Sequence, residues 1–456
     1  MTGPHTEPRP DPDADAGPGS DPGVEHAHAA VRGGVALWTL LVGFTMLMVG
    51  NGLNLAVLGV KMVDEGFGVR VAGVVMACYF AGFLLGPPVV VRWLSGVGHI
   101  RVFASLASIA SCIVLLQFVW ISPPSWAVMR LVFGFCMAGL YVVVESWLND
   151  ASTPANRGRT LAVYMIASMG GIGVGQLLIG AGDVDGNGLF IAASILVSMS
   201  FVPMALAATT DAPPVRVSPR VRIRELVDIA PTGLVGMVFT GASHGILLGL
   251  SAVYATRAGF GAAETATFLA VPSLGALAFQ WPVGWASDRL PRRSVIFAVA
   301  IAAACLAGVL AIVPEGNLVV LPMMFVLGGL TFPLYSLLLS HTLDRSAPGT
   351  GMGASGASLR ANGTGAVLGP IVGGAIMAAF GETSFFWCLV ATHGLIAAYV
   401  ASRLIVEDAL PAGRQGPFVP MPARATDVAI RLTSRPLRAS RARLRPAGEP
   451  ESVTRD

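Results

Sequence analysis

Polar side chains lie within long apolar stretches of this sequence, and their types suit the binding of a small organic solute. His244, between Ser243 and Gly245, has an imidazole with an ordinary pKa of about 6.5, so it can exchange a proton near neutral pH. Arg130 carries a guanidinium that can bind an anionic group through two parallel hydrogen bonds. The remaining candidates are amides and phenols that can hydrogen-bond a solute: Asn51, Asn54, Tyr79, Tyr141, Tyr335 and Asn362. For each of them, an interhelical hydrogen bond or a packing contact is the alternative interpretation.

Patterns typical of enzymes and cofactor sites are missing from the sequence. A membrane-embedded enzyme would carry paired deep aspartates, an HExxH motif, or a serine and a histidine at helical spacing, whereas His244, His341 and His393 are isolated. The run from Gly351 to Gly356 matches GxGxxG but follows no strand pattern, and there is no Walker motif. The five cysteines form no CxxC pair. We therefore expect no catalytic activity, no cofactor and no metal site.

The composition indicates which elements must position the candidate residues. Hydrophobic types make up 54% of the 456 residues and charged types only 12%, whereas about a quarter of a soluble domain is charged. Apolar stretches of twenty or more residues recur, each long enough to cross a hydrocarbon core of about 30 Å at about 1.5 Å per helical residue. This composition argues against a soluble enzyme, a disulfide scaffold and a nucleic-acid-binding protein. We predict an all-α polytopic membrane protein.

The apolar stretches number twelve, six on each side of a polar linker. They fall at 35–60, 71–91, 102–121, 126–148, 160–180, 188–208, 229–256, 263–285, 294–313, 318–341, 356–380 and 383–404. The predicted organisation is a disordered acidic tail at 1–33, a six-helix bundle at 34–208, a basic linker at 209–228, a second bundle at 229–404, and an arginine- and proline-rich tail at 405–456. Loops on the side of the N-terminus hold twelve arginines, against three basic residues on the other side, Lys61, Arg70 and Arg257. By the positive-inside rule, both termini and both tails are predicted to be cytoplasmic.

The two halves of the chain repeat each other in sequence. At an offset of 193, the run Gly66–Gly68 meets Gly259–Gly261, and at an offset of 194 Leu140-Tyr141 meets Leu334-Tyr335. Such duplication predicts two pseudo-symmetric six-helix bundles that rock about a site at their interface. The same register pairs Asn51 with His244, and we predict that the glycines beside both residues interrupt spans one and seven there.

Short motifs resemble those of the major facilitator superfamily. The loop after the eighth span, Gly284 to Arg293, resembles the family's GxxxDRxxRR signature, and Arg130 to Gly134 resembles its fourth-helix RxxxG motif. The run from Glu145 to Asn149, followed by Asn156 to Arg159, is similar to the uncharacterised bacterial YcaD-type branch. The first-half loop from Arg92 to Arg101 departs from the pattern because it has no aspartate. The resemblance implies a secondary active transporter that moves a small organic solute across the bacterial cytoplasmic membrane by alternating access.

The resemblance also implies gate residues at the cytoplasmic ends of the spans. The aspartate of the signature, here Asp288, would hold the cytoplasmic side closed by accepting N–H bonds from the start of span five near Thr160. The other predicted gate residues are charged side chains that can pair across loops: Arg92, Arg101, Glu145, Arg289, Arg292, Arg293 and Asp344. The alternative interpretation is topological, since arginines keep loops inside and carboxylates neutralise them.

The expected partners follow from these interpretations. They are a small-molecule substrate, protons exchanged through His244 or Glu145, and membrane lipids. The anionic headgroups of these lipids would attract the C-terminal arginines. The protein is expected to be a monomer that binds no nucleic acid. Facilitated diffusion remains an alternative to proton coupling. A transporter-like membrane sensor that signals through its tails is the alternative function.

Overall fold

The structure is a computed structural model that describes most of the chain. The described residues are 22–153, 156–182, 186–207, 230–314, 319–347, 350–406 and 410–422, together with Glu225, Val227, Thr426 and Ala429. The predictions made for residues 1–21, for most of the linker 209–228 and for the arginine-rich residues 430–456 lie outside this description.

Twelve helices in the described part of the chain are long and apolar enough to cross a membrane. They are α1 Leu37–Asp64, α2 Val69–Val97, α3 His99–Val119, α4 Pro123–Ala151, α5 Arg157–Ala181, α6 Gly188–Leu206, α7 Pro231–Arg257, α8 Ala262–Arg289, α9 Arg292–Leu310, α10 Val320–Arg345, α11 Gly353–Phe380 and α12 Ser384–Val406. The predicted fold class is therefore confirmed. The helix that contains α1 begins at Pro22, so part of the segment predicted as a disordered tail is helical.

The sequence repeat is visible in the way the helices end. After α1, the Phe67 amide donates to the Met62 carbonyl, and Gly66 has a positive φ of 74°. After α7, Phe260 donates to Ala255, and Gly259 has a φ of 81°. Both ends are Schellman caps, which need a glycine in the left-handed region and are followed by an apolar residue. This geometry explains why the Gly-Phe-Gly run occurs in both halves.

The repeat also governs how the helices pack. A Cβ atom on Gly82 of α2 would lie 1.9 Å from the Leu131 carbonyl oxygen of α4. In the second half, a Cβ on Gly275 of α8 would lie 1.9 Å from the Phe325 carbonyl oxygen of α10. Only glycine permits so close a backbone approach, and the two contacts occupy equivalent places in the repeat. The prediction of two pseudo-symmetric bundles is therefore confirmed.

The predicted interruptions of spans one and seven are wrong. Both helices run continuously through Asn51 and His244. The glycines there serve close packing, because a Cβ on Gly52 would lie 2.3 Å from the Ile172 carbonyl oxygen and one on Gly245 would lie 2.4 Å from the Ala366 carbonyl oxygen.

The interruptions that the structure does contain in the twelve spans lie in α5, in α6 at Ser200, and in α10. Span α5 has a π-helical turn at Ile166–Gly170 and ends in a 3-10 turn at Leu178–Ala181. Span α10 is interrupted at Phe332, directly before Pro333, which has no N–H group to continue the helix.

The two ends of the bundle differ in how the halves meet. We call the end at which α12 finishes the tail face, and the other end the opposite face. Toward the opposite face the halves touch directly: a Cβ on Gly59 would lie 2.4 Å from the Ala252 Cβ, and one on Gly73 would lie 2.3 Å from the Pro370 carbonyl oxygen. At the tail face, both halves contact the C-terminal segment, which we define as residues 410–422 with Thr426 and Ala429.

Candidate functional site

Glu145 is a fully buried carboxylate on α4, with an exposed fraction of 0%. It lies six residues before the end of the helix at Ala151, or about 9 Å below it at about 1.5 Å per residue. The Tyr164 hydroxyl of α5 donates to its Oε1 at 2.6 Å, and the Thr426 amide donates to both carboxylate oxygens at 3.0 Å. The Thr426 hydroxyl also donates to Oε2. These bonds offset the cost of burying the carboxylate.

A cluster of aromatic and polar side chains surrounds Glu145 in the first half. The Phe44 ring of α1 stacks on Tyr164 at 5.1 Å between centroids and meets the edge of Tyr141 at 5.4 Å. The Tyr141 hydroxyl lies 2.9 Å from Met48 Sδ and 3.3 Å from Ser168 Oγ. Of the predicted lining residues, the structure thus brings Tyr141 together with the predicted gate residue Glu145.

Arg130 is fully buried between α4 and α2. Its guanidinium carbon lies 4.6 Å from the centroid of the Tyr79 ring, and its Nη2 lies 3.6 Å from Met76 Sδ. A desolvated cation over an aromatic face is stabilised by about 2 kcal/mol. Because no part of Arg130 is exposed, the side chain does not extend to the surrounding headgroups. The structure brings together two predicted lining residues here, Arg130 and Tyr79.

Asn51 and Asn54 are buried on α1, with exposed fractions of 1% and 0%. Among the described residues, Asn51 Nδ2 and both Nδ2 and Oδ1 of Asn54 have no hydrogen-bond partner. Buried amides are almost always hydrogen-bonded, so such groups are candidates for contact with a bound solute or water. Both are predicted lining residues with side-chain polar atoms that the described part of the chain leaves unsatisfied.

His244 of α7 contacts α10 at the point where that helix is interrupted. Its ring stacks on Phe332 with centroids 5.0 Å apart, and its Nε2 lies 3.3 Å from the Thr331 carbonyl oxygen. In a regular helix the Tyr335 amide would bond to Thr331, but here it donates to the Phe332 carbonyl at 3.3 Å. The imidazole therefore contacts a carbonyl that the helix interruption has released. Whether His244 also exchanges protons stays a prediction.

The two other lining candidates also lie at contacts within the second half. The Asn362 side chain of α11 donates to the Met237 carbonyl of α7 at 3.3 Å, which is an interhelical hydrogen bond. Tyr335 is buried on α10, just after the interruption.

At the tail face, residues of the signature loop converge with the C-terminal segment. Arg292, with an exposed fraction of 1%, donates to Ser287 Oγ at 2.9 Å, to the Asp344 carboxylate, and to the Gly416 carbonyl at 2.8 Å. Asp288 Oδ1 accepts the Phe418 amide at 2.7 Å.

The other arginines predicted as gate residues lie elsewhere on the tail face. Arg289 covers the Trp285 ring at 4.2 Å, and Arg293 donates to the Arg403 carbonyl of α12 at 3.3 Å. Arg92 and Arg101 are exposed.

The predicted contact between Asp288 and the start of α5 is absent from this conformation. Asp288 is bonded to the C-terminal segment, and the hydroxyl of Thr160, buried at the start of α5, has no hydrogen-bond partner among the described residues. The gate role of Asp288 therefore stays a prediction for another conformation.

Sequence reasoning missed residues 416–422 and Thr426 as part of this site. For this tail the sequence predicts only an attraction of its arginines to anionic headgroups. The available signal was the run Phe418, Val419 and Met421, which places apolar side chains in an otherwise polar segment.

Comparisons with known proteins agree with this architecture. The family model of the Major Facilitator Superfamily matches residues 39–361. An uncharacterized MFS-type transporter of Yersinia pestis (strain Pestoides F) is 27% identical over 327 residues, which cover 69% of this chain and 81% of that protein. The uncharacterized MFS-type transporter YcaD of Escherichia fergusonii is 26% identical over the same shares of the two chains.

Two solved structures share the fold at low sequence identity. A mutant of the nucleoside transporter NupG superposes with a TM-score of 0.70 at 13% identity, covering 80% of this chain and 99% of that one. A bacterial homolog of the human lysosomal transporter Spinster, in an inward-facing and unoccupied conformation, gives a TM-score of 0.65 at 16% identity, covering 86% and 100%. With twelve apolar helices and a family model that matches most of its length, the chain belongs to the major facilitator superfamily and is a multi-pass bacterial membrane transporter.

Proposed function

We propose that this protein is a secondary active transporter that moves a small organic solute across the bacterial cytoplasmic membrane by alternating access. The observation that carries the proposal is the pair of buried amides on α1: Asn51 Nδ2 and both Nδ2 and Oδ1 of Asn54 have no hydrogen-bond partner among the described residues. In a helix of the bundle interior, such groups are costly unless a solute or water binds them.

The substrate class follows from the side chains around the bundle centre. Asn51 and Asn54 can both donate and accept hydrogen bonds, and the buried Arg130 supplies a positive charge over Tyr79. We expect a neutral or anionic solute with several hydrogen-bonding groups. The first two spans hold no deep carboxylate of the kind that cation exporters of the family keep there, which argues against a polycationic substrate.

The tail face is proposed to be cytoplasmic. The sequence has twelve arginines at the span ends and loops of this side, against three basic residues on the other, which supports this orientation through the positive-inside rule. Both termini would then be cytoplasmic. The arginines at 431–445 would face anionic headgroups, each worth about 1 kcal/mol when close to the surface.

Coupling to protons is proposed through Glu145 or His244. Glu145 is supported by its burial and its bond to Tyr164, and His244 by its side-chain type, because a free imidazole titrates near neutral pH. We expect the transporter to work as a monomer, without catalysing a chemical reaction. A sensor that signals through its tails is the second candidate, because the C-terminal segment contacts Glu145 in the bundle interior.

The proposal is tested with the purified full chain. A panel of solutes is first scored by the shift in thermal unfolding, and the strongest binder is then followed by flux into proteoliposomes. Asn54→Ala is expected to lower the affinity for that solute about tenfold, the equivalent of about 1.4 kcal/mol for one lost hydrogen bond to a buried group. Asn187→Ala, which removes an exposed amide in the loop before α6, is the matched control and is expected to bind normally.

Either of two results would contradict the proposed site. If no solute of the panel shifts unfolding or enters the vesicles, or if Asn54→Ala binds as the control does, the site is not where we place it. Replacing residues of the C-terminal segment distinguishes the two functions, since transport should survive and signalling should not.

A further inference from the structure

The C-terminal segment has a sequence suited to an extended conformation. Prolines stand at positions 417, 420 and 422, and each fixes φ and disfavours helix in the residue before it. Such a segment loses less conformational freedom on docking than a flexible one.

Every backbone N–H group between Gly416 and Pro422 is bonded to a side chain of the second half. Gly416 donates to Asp344 at 2.8 Å, Phe418 to Asp288 at 2.7 Å, Val419 to Ser340 Oγ at 3.1 Å and Met421 to Ser336 Oγ at 3.0 Å. The three prolines of this run carry no N–H group. The second half therefore satisfies the whole set of donors.

Three of the four acceptors form a single stripe on α10. Ser336, Ser340 and Asp344 are spaced four residues apart, so they lie on one face with a rise of about 6 Å per step. The Val419 and Met421 amides are two residues apart, a distance of about 6.6 Å in an extended chain. The spacing of Ser336 and Ser340 on the helix thus matches the spacing of the two donors that they bind.

The segment enters the bundle deeply and crosses to the first half. Ser336 lies nine residues before the end of α10 at Arg345, or about 14 Å below the tail face. Beyond this point Thr426, with an exposed fraction of 1%, bonds to Glu145 of α4. The ring of Phe418 packs against Gly284, where a Cβ would lie 2.6 Å from its Cδ1.

We propose that the tail face carries a binding site for an extended peptide, that its occupant is this chain's own C-terminal segment, and that the segment holds the two halves apart at this face. The second part of the proposal, that the segment blocks closure of the tail face, rests on the proposed function. The segment uses Asp288, the carboxylate that a closed tail face would need, and it stands between α4 and α10. The tail face closes only after the segment has left.

Docking is tested by hydrogen–deuterium exchange of the full chain. We expect the amides of Gly416, Phe418, Val419, Met421 and Thr426 to exchange at least about tenfold more slowly than free peptide, because they are hydrogen-bonded to the bundle. Phe418→Asp with Thr426→Asp places new carboxylates beside Asp288 and Glu145, and the repulsion should abolish the protection. Phe418→Leu with Thr426→Ser is the matched control and should keep it. Exchange of the wild-type segment at the free-peptide rate would overturn the proposal.

A second variant makes the test independent of the segment's own sequence. Ser336→Ala removes an acceptor from the stripe and should speed exchange at Met421, whereas Ser402→Ala, a serine exposed on α12, should not. Equal exchange in the two variants would exclude the stripe as the binding surface.

Blocking is tested by spin-label distances across the tail face. Labels are placed at Val97→Cys and Leu290→Cys, two exposed positions at the ends of α2 and α8, after Cys112 and Cys305 are replaced by alanine. The double aspartate variant should add a shorter distance that the leucine–serine control lacks. Identical distances in both would overturn the blocking role. These measurements need no substrate, so they succeed or fail separately from the flux experiment.

Discussion

The two halves of the bundle are connected by different kinds of contact at its two faces. At the opposite face, glycines of the first half lie directly against the second half, with Gly73 against the Pro370 carbonyl oxygen and Gly59 against the Ala252 Cβ. At the tail face, the halves are bridged by hydrogen bonds from one extended segment to Asp288, Ser340 and Glu145. The contact at the opposite face depends on shape, so a single added carbon atom would disrupt it. The contact at the tail face depends on polar groups that water can replace when the segment leaves, so it is suited to reversible opening.

The largest expected effect comes from breaking the shape-dependent face. In Gly73→Val, the added side chain would overlap the Pro370 carbonyl oxygen, which a Cβ alone would approach to 2.3 Å. Overpacking of this kind costs about 1–3 kcal/mol. We expect a lower unfolding temperature and a widened opposite face, measured by thermal unfolding and by reaction of nearby introduced cysteines. Gly96→Val on α2, where a Cβ would meet no atom within 4 Å, is the control; equal unfolding of both variants would contradict the assignment.

A smaller effect is expected from removing one charge at the polar face. Asp288→Asn keeps an oxygen that can accept the Phe418 amide, so the C-terminal segment should stay docked. The charge needed to close the tail face is lost, and a charged acceptor is worth about 1 kcal/mol more than a neutral one. We expect flux to fall about fivefold while the amount of inserted protein is unchanged. Uptake kinetics equal to wild type would remove the gate role.

The variant His244→Gln tests whether proton exchange at His244 drives the alternate opening of the two faces. Glutamine can still donate to the Thr331 carbonyl, so the interruption of α10 and the unfolding temperature should be little changed. Because glutamine does not titrate, the pH dependence of flux should flatten between about pH 5.5 and 7.5. A profile that keeps its wild-type form would make His244 a structural residue.

The smallest effect concerns an ion pair at the opposite face. Arg257 donates to Glu382 at 2.8 Å, and this bond lowers the pKa of the Glu382 carboxyl below its ordinary value of 4.5. The stabilisation is therefore present above pH 4.5 and is lost as the pH falls through the lowered pKa. Both side chains are about a third exposed or more, at 40% and 32%, so solvent screening keeps the pair below about 1 kcal/mol.

The change Arg257→Gln should lower the unfolding temperature by less than about 2 °C at pH 7 and by a smaller amount at pH 3, where more of the Glu382 carboxyl is protonated. A loss of the same size at both pH values would show that the effect is not electrostatic.

The fold could be predicted from sequence because its determinants are local. Each span needs a long apolar run, and the Gly66–Gly68 and Gly259–Gly261 runs specify caps within a few residues of themselves. The prediction was wrong at the glycines beside Asn51 and His244. The sequence alone does not distinguish a glycine that allows a neighbouring backbone to approach from one that breaks a helix.

The candidate site was predicted only in part, since its contacts join distant parts of the chain. Arg130 and Tyr79 were both identified, but nothing in their spacing shows that the cation covers the ring. Thr426 and Glu145 are separated by 281 positions, and the tail's arginines indicated only an attraction to anionic headgroups. The interruption of α10 at Pro333 gives His244 its partner, which could not be known before α7 and α10 were placed side by side.

Alternating access requires that the two faces open in turn. It is tested most directly by spin-label distances across both faces of the same protein in membranes, with and without the solute that the panel identifies. One pair is Val97 and Leu290 at the tail face, and the other is Val119 and Ile312 at the ends of α3 and α9 at the opposite face; each pair is exposed and related by the repeat offset of 193. We predict that the opposite-face distance lengthens in the population whose tail-face distance shortens. Distances that stay fixed, or that lengthen together, would contradict it.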